Sequence, residues 1–98
     1  MTGLSRSTEH LDARRKRILY RAWHRGTREM DLLMGRYTES TIDTMDDTAL
    51  DVLELLIEAP DRDIFAWMTG AEPVPENYDT PVYRALAAFH KHDAPLDL

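Results

Sequence analysis

Apolar residues recur at helical spacing along most of this chain. From about Glu9 to His24, Leu11, Ile18, Leu19, Ala22 and Trp23 share one side, while Arg14, Arg15, Lys16, Arg17 and Arg21 spread over the rest. That pattern predicts a first amphipathic helix, and Gly26 suits the left-handed residue that closes one. A second helix, about Thr27 to Thr41, buries Met30, Leu33, Met34 and Tyr37. Gly35 weakens it by about 1 kcal/mol relative to alanine, which marks the position as one where another helix crosses closely. Residues 43–47 are a polar break. The third helix, about Asp47 to Ala59, has Asp46 as N-cap and Met45 and Leu50 placed as a hydrophobic staple. Ala49, Leu50, Val52, Leu53, Leu55, Leu56 and Ile57 cover most of its circumference, so it is expected to be the central, most buried element, ending at Pro60. Asp61 caps a short fourth helix containing Ile64, Phe65, Trp67 and Met68, stopped at Gly70. After a proline-containing connection over 71–79, Thr80-Pro81 starts a fifth helix with Val82, Ala85, Leu86 and Phe89 inward. No strand-like alternation and no internal repeat appears. The chain reads as all-α, a compact five-helix bundle formed by one domain over 9–92, between tails at 1–8 and 93–98.

Charge divides this bundle unevenly. Residues 1–28 hold eight basic and two acidic residues, a balance of +6, whereas 29–98 hold four and sixteen, a balance of −12. The sign changes in the run from His24 to Leu33, which packs Arg25, Gly26, Arg28 and Glu29 into the turn between the first two helices. A small domain with a basic face and such a corner reads as a docking protein. The absence of cysteine excludes disulfides, thiolate nucleophiles and Cys-based metal sites. No apolar run approaches the ~20 residues of a membrane span, and residues 1–12 lack the apolar segment of a secretory signal. A cytoplasmic monomer without direct membrane insertion is the expectation.

Catalytic chemistry finds little support. Serines stand only at 5, 7 and 40, without paired histidine and acid at a recognisable spacing. The four glycines are scattered, so no phosphate loop forms. Of the histidines at 10, 24, 90 and 92, only His90 and His92 are close in sequence, and they are expected to offset a helix C-terminal dipole, with no metal bound. Trp23, Tyr37, Phe65 and Trp67 are spaced as core residues.

The corner itself admits two readings. In one, Glu29 sits third in its helix and reaches back to an orphan N–H, while Arg25 is a surface cation near the preceding helix C-terminus. In the other, Arg25 and Glu29 are presented together to grip a partner, with Gly26 permitting close approach. On that second reading, Arg25→Ala or Glu29→Ala would cost function and leave thermal stability near wild type. The basic run also invites nucleic-acid binding. The acidic remainder opposes it, and steering toward an acidic protein surface uses the same residues.

The stretch Arg15 to Tyr37, RKRILYRAWHRGTREMDLLMGRY, closely resembles the small succinate dehydrogenase assembly, or flavinylation, factors. Their Arg-Gly-x-x-Glu hallmark is matched by Arg25, Gly26 and Glu29, followed by the acidic-apolar Met30-Asp31-Leu32-Leu33. Asp46-Asp47 before the leucine-rich helix and the Asp63 to Trp67 segment are also similar, so the resemblance spans about Asp12 to Lys91. His24 and Thr27 depart from the commonest residues at variable-looking slots of the motif. The resemblance implies a five-helix bundle that is not itself an enzyme. It would bind the flavoprotein subunit of succinate dehydrogenase, and in some bacteria of fumarate reductase, to promote attachment of FAD to a histidine there. No cofactor would be held stably by the chain, and no nucleic acid. On this view Arg25 and Glu29 anchor the contact, Gly26 allows close approach, and Arg21, His24 and Arg28 flank and orient it. A generic interaction bundle with an unrelated partner, or a nucleic-acid binder using the first helix, are the rival readings.

Overall fold

Polar side chains folded back onto backbone amides set most of the helix starts. In the computed structural model, which describes residues 7–93 and side chains through residue 91, Asp12 Oδ1 accepts from Arg15 N at 2.8 Å and starts α1 (Ala13–Trp23). This is later than the expected Glu9, because Asp12 satisfies the first free amides. Thr27 likewise caps α2 (Arg28–Thr41), its Oγ1 accepting from Met30 N at 3.3 Å. A 3-10 turn, Ile42–Thr44, drops Ile42 into the core. Asp46 caps α3 (Asp47–Glu58) through Ala49 N at 2.8 Å, with Met45 and Leu50 both buried as the expected staple. Thr80 Oγ1 accepts from Tyr83 N at 3.1 Å ahead of α5 (Pro81–Ala88), which has proline in its first turn. The exception is α4 (Asp61–Thr69): Pro60 occupies its N-cap without a side-chain bond, and Asp61 is the first helical residue, not the cap. Gly70 closes α4 at φ 82°, as expected. The expected tails fall largely outside the described residues.

The fold is five α-helices without strands among the described residues. α1 packs on α2 and α3, and α5 packs on α3. The core contains Ile18, Leu19, Leu33, Met34, Leu50, Leu53, Ile64 and Leu86, each at most 1% exposed. The most enclosed helix is α2, with Met30, Leu33, Met34, Gly35, Tyr37 and Thr38 all buried. α3 does not take the central place its apolar circumference suggested. Only Leu50, Leu53, Leu56 and Ile57 are buried, and Leu55 is 46% exposed, because α1 and α5 pack on one stripe and leave Leu55 outside it among the described residues.

Gly35 does mark a close approach. A Cβ there would lie 2.2 Å from Trp23 Cδ2, so the indole of α1 lies directly on the α2 backbone. The inward face of α5 is Val82, Tyr83 and Leu86; Ala85 is exposed, contrary to expectation. Tyr83 takes its place because it meets Trp67 edge-on at 6.2 Å, while Trp67 also packs on Tyr78 at 4.9 Å. These contacts tack the 71–79 connection to the helices on either side. Beyond α5 the backbone widens into a π turn, Phe89–Asp93. His90 is 6% exposed there, and its Nε2 donates to the Leu33 carbonyl of α2. Although it stands in the turn that ends α5, it is a buried residue hydrogen-bonded across to α2 and not an exposed cation over the helix terminus; the side chain of residue 92 lies outside the described residues.

Candidate partner-binding corner

Seven residues apart on a helix is two turns and nearly one face, and Arg14 and Arg21 of α1 use that face against the acidic α3. Arg14 Nη2 donates to Asp51 at 2.5 Å and Glu54 at 2.6 Å, and these carboxylates, Glu54 first, raise its pKa above the ordinary arginine value. Arg21 pairs with Glu58 one turn further along. Arg15 turns the other way, donating from Nε to the Ile42 carbonyl at 3.0 Å and from Nη2 to the Met45 carbonyl at 2.5 Å. The expected basic face is therefore largely neutralised within the chain. Among the described residues, Lys16, Arg17 and Arg28 are the cations of residues 14–28 left exposed and without a partner.

At the corner between α1 and α2 the same inward use of charge continues. The Arg25 side chain is only 9% exposed. Its Nε donates to Asp61 Oδ1 at 2.8 Å, Nη1 to the Ile57 carbonyl at 2.5 Å and Nη2 to the Ala59 carbonyl at 2.9 Å. Nη2 also approaches Asp61 Oδ1 at 2.6 Å. One planar guanidinium thus ties the end of α3 and the start of α4 to the corner, using a fork that lysine lacks. Asp61 is free for this because it is not a cap.

The corner backbone is fixed from the other side. Asp31 Oδ1 accepts from Arg25 N at 2.5 Å and from Gly26 N at 3.3 Å. Gly26 has φ 113°, a region that L side chains rarely adopt, with nothing within 4 Å of where a Cβ would project. Glycine is needed there for its backbone, and the space beside it is open.

Of the residues picked out from sequence, Arg25 departs most from its expected placement. Its guanidinium is neither a surface cation nor presented beside Glu29, since all its charge is spent within the fold. Glu29 stands second in α2, not third; it is exposed and makes no capping bond, because Thr27 has taken that task. Arg28 and Gly26 are exposed beside it. Arg21 and His24 border a cleft of about 370 Å³ that also meets Tyr20, Arg25, Ile57, Glu58, Ala59, Pro60 and Asp61. On its rim Tyr20, 63% exposed, stacks on His24 with ring centroids 3.8 Å apart. His24 Nδ1 donates to the Tyr20 carbonyl at 2.7 Å, leaving Nε2 on the outer edge of the ring.

Sequence reasoning did not count Asp31 or Tyr20 among the partner-binding residues. Asp31 had a readable signal: helical side chains lean toward the N-terminus, so a carboxylate in the fourth position covers the residues preceding the cap. Tyr20, four residues before His24, reads from the sequence as its stacking companion on that surface, and the two rings do stack.

No group of three or more metal-ligating side chains converges among the described residues. No described helix is long and apolar enough to cross a membrane.

Comparison with known proteins gives the corner its context. Residues 16–90 match the family described as flavinator of succinate dehydrogenase. The chain is 41% identical over 78 residues to the FAD assembly factor SdhE of Acetobacter pasteurianus, covering 80% of this chain and 72% of that protein. It is 36% identical over 89 residues to the mitochondrial succinate dehydrogenase assembly factor 2 of Danio rerio, covering 89% of this chain and 56% of the relative. The corresponding protein of Dictyostelium discoideum is 31% identical over 90 residues, 92% of this chain and 64% of its own. The chain thus spans somewhat over half of these two mitochondrial relatives. By the extent of these matches and by its five-helix fold, the chain belongs to the flavinator of succinate dehydrogenase family.

Proposed function

We propose that this protein is an assembly factor that binds the flavoprotein subunit of succinate dehydrogenase and promotes covalent attachment of FAD to a histidine of that subunit. The observation that carries the reading is the corner. Its backbone is braced from inside by Arg25 and Asp31, while Arg28 and Glu29 are left outward without partners among the described residues. A rigid turn holding a free cation and a free carboxylate beside an open glycine fits docking on another macromolecule, since little ordering entropy remains to be lost on binding.

The bond-forming groups belong to the flavoprotein. FAD held there would supply a methyl carbon made electrophilic by loss of a proton, the subunit's own histidine would add to it and give up its N–H proton, and the flavin ring would take up the electron pair. This chain acts from outside, binding the conformer in which the two are aligned and so raising its population. A tenfold acceleration requires only about 1.4 kcal/mol of preference for that conformer over others. Glu29 and Arg28 anchor the contact, Gly26 lets the partner backbone come close, and Arg21, His24 and Tyr20 offer the adjoining cleft. The protein works as a monomer in the cytoplasm, and the flavoprotein of fumarate reductase is a second client.

Nucleic-acid binding is disfavoured because four of the six arginines that suggested it are paired, Arg14, Arg15, Arg21 and Arg25 all serving acceptors within the chain, which leaves Lys16, Arg17 and Arg28 as the exposed cations of that stretch. The test expresses each flavoprotein with and without this chain and scores flavin fluorescence on a denaturing gel. The proposal requires covalent flavin to rise with the chain present; equal fluorescence in both lanes would refute it.

A further inference from the structure

The motif Arg-Gly-x-x-Glu ends at Glu29, yet the geometry of the corner extends two residues beyond it. One oxygen of Asp31 accepts hydrogen bonds from the consecutive amides of Arg25 and Gly26. Two adjacent N–H groups converging on one point form an anion-binding concavity of the kind a backbone turn produces. Here the anion is supplied by the chain itself. Asp31 is half-buried and belongs to the first turns of α2, so it ties the turn to a helix whose other face, Met30, Leu33 and Met34, is locked in the core.

Arg25 does the complementary job on the opposite side. Its backbone N–H points to Asp31, and its side chain points to Ile57, Ala59 and Asp61. The turn is therefore held between α2 and the α3–α4 junction. Glu29 lies between the two braces in sequence and contacts neither.

We infer that Asp31 is a positioning residue for flavin attachment. It acts by holding the Arg25–Gly26 turn in the geometry that presents Glu29 and Arg28, and not by touching the flavoprotein. This rests on the corner being the contact surface, as proposed above. The inference separates two kinds of acidic residue six or fewer positions from Arg25: Glu29, whose charge meets the partner, and Asp31, whose acceptor oxygen meets the turn. Charge is not what Asp31 must supply, since an amide oxygen can receive the same two N–H bonds.

The test compares Asp31→Ala, Asp31→Asn and wild type in three measurements: amide hydrogen exchange at Arg25 and Gly26, affinity for the purified flavoprotein subunit, and thermal unfolding. Asp31→Ala should speed exchange of both amides at least tenfold and weaken binding about tenfold. Asp31→Asn should keep both amides protected and bind within about threefold of wild type. Glu29→Gln is the contrast, losing affinity with both amides still protected. If Asp31→Ala does not fold, Asp31→Asn carries the test, because retained protection and retained affinity are both required of it. Unchanged binding by Asp31→Ala would overturn the inference. So would an Asp31→Asn protein that keeps its amides protected yet fails to bind, since that outcome makes the carboxylate a direct contact. Failure of wild type itself to bind the flavoprotein would instead refute the underlying function and is seen in the affinity measurement.

Discussion

Replacing Arg25 by alanine separates a brace from a handle. The substitution removes the donors that serve the Ile57 and Ala59 carbonyls and strips Asp61 of its guanidinium, at a side chain 9% exposed. Breaking a buried pair by deleting one member costs about 3–5 kcal/mol. Asp61 is 30% exposed and sits in the first turn of α4, where the helix end also favours a carboxylate, so the low end applies, about 3 kcal/mol. A domain of this size loses roughly 4–8 °C of melting temperature per kcal/mol. Arg25→Ala should therefore melt about 12–24 °C below wild type while remaining folded in the cold. Arg25→Lys keeps a point charge but not the three-way fork, and should recover only about 1 kcal/mol. Thermal unfolding followed by far-UV circular dichroism measures both. Flavin attachment at low temperature, with the variant in excess, then asks whether the lost function returns with the fold. An Arg25→Ala protein that melts with wild type yet attaches no flavin would refute this reasoning and return Arg25 to the contact surface.

Glu29 should behave in the opposite way: Glu29→Gln should shift stability by less than about 0.5 kcal/mol, as for an exposed residue without partners, while covalent flavin falls on the denaturing gel. Gly35→Ala should destabilise despite the better helix propensity of alanine, because its Cβ would lie 2.2 Å from Trp23 Cδ2 and the whole indole would have to move. Overpacking of that kind outweighs the propensity gain of about 1 kcal/mol and should leave a net loss of about 2 kcal/mol, read as a lower melting temperature and altered tryptophan fluorescence. Gly26→Ala should cost about 1–3 kcal/mol from backbone strain alone, whereas D-alanine introduced by chemical synthesis should restore stability; binding lost with D-alanine would isolate the need for close approach. Acid should weaken the start of α1. The Asp12 carboxyl is held below its ordinary value of 3.8, first by the Arg15 backbone N–H, so its contribution is complete above that value and disappears as pH falls through the lower folded one. The difference in melting temperature between wild type and Asp12→Asn should be constant near neutrality and shrink below about pH 4.

How far the sequence reaches depends on how local the physics is. Helix starts at Asp46 and Thr80 were legible because a cap bonds an amide three residues away, and Gly70 because a helix stop needs only its own φ. Gly35 was legible as a point of close approach, although that a tryptophan ring fills it was not. The central position of α2 and the exposure of Leu55 depend on which helices happen to lie alongside, and no periodicity records that. The Arg25 side chain is the sharpest case, since its acceptors lie 32 to 36 residues further along the chain. From sequence, Arg25 and Glu29 four residues apart look like one bidentate grip. In space a non-helical turn stands between them, so helical spacing does not apply, and the two point to different places. A short motif of this kind compresses two demands: the turn must be held in a strained backbone geometry, and something chemically useful must stand on it. Arginine, with five donors in a plane, is the residue type best able to meet the first demand at a junction of four helix ends. An exposed carboxylate with no partner meets none of the structural demands here, which is the physical reason for assigning Glu29 the second.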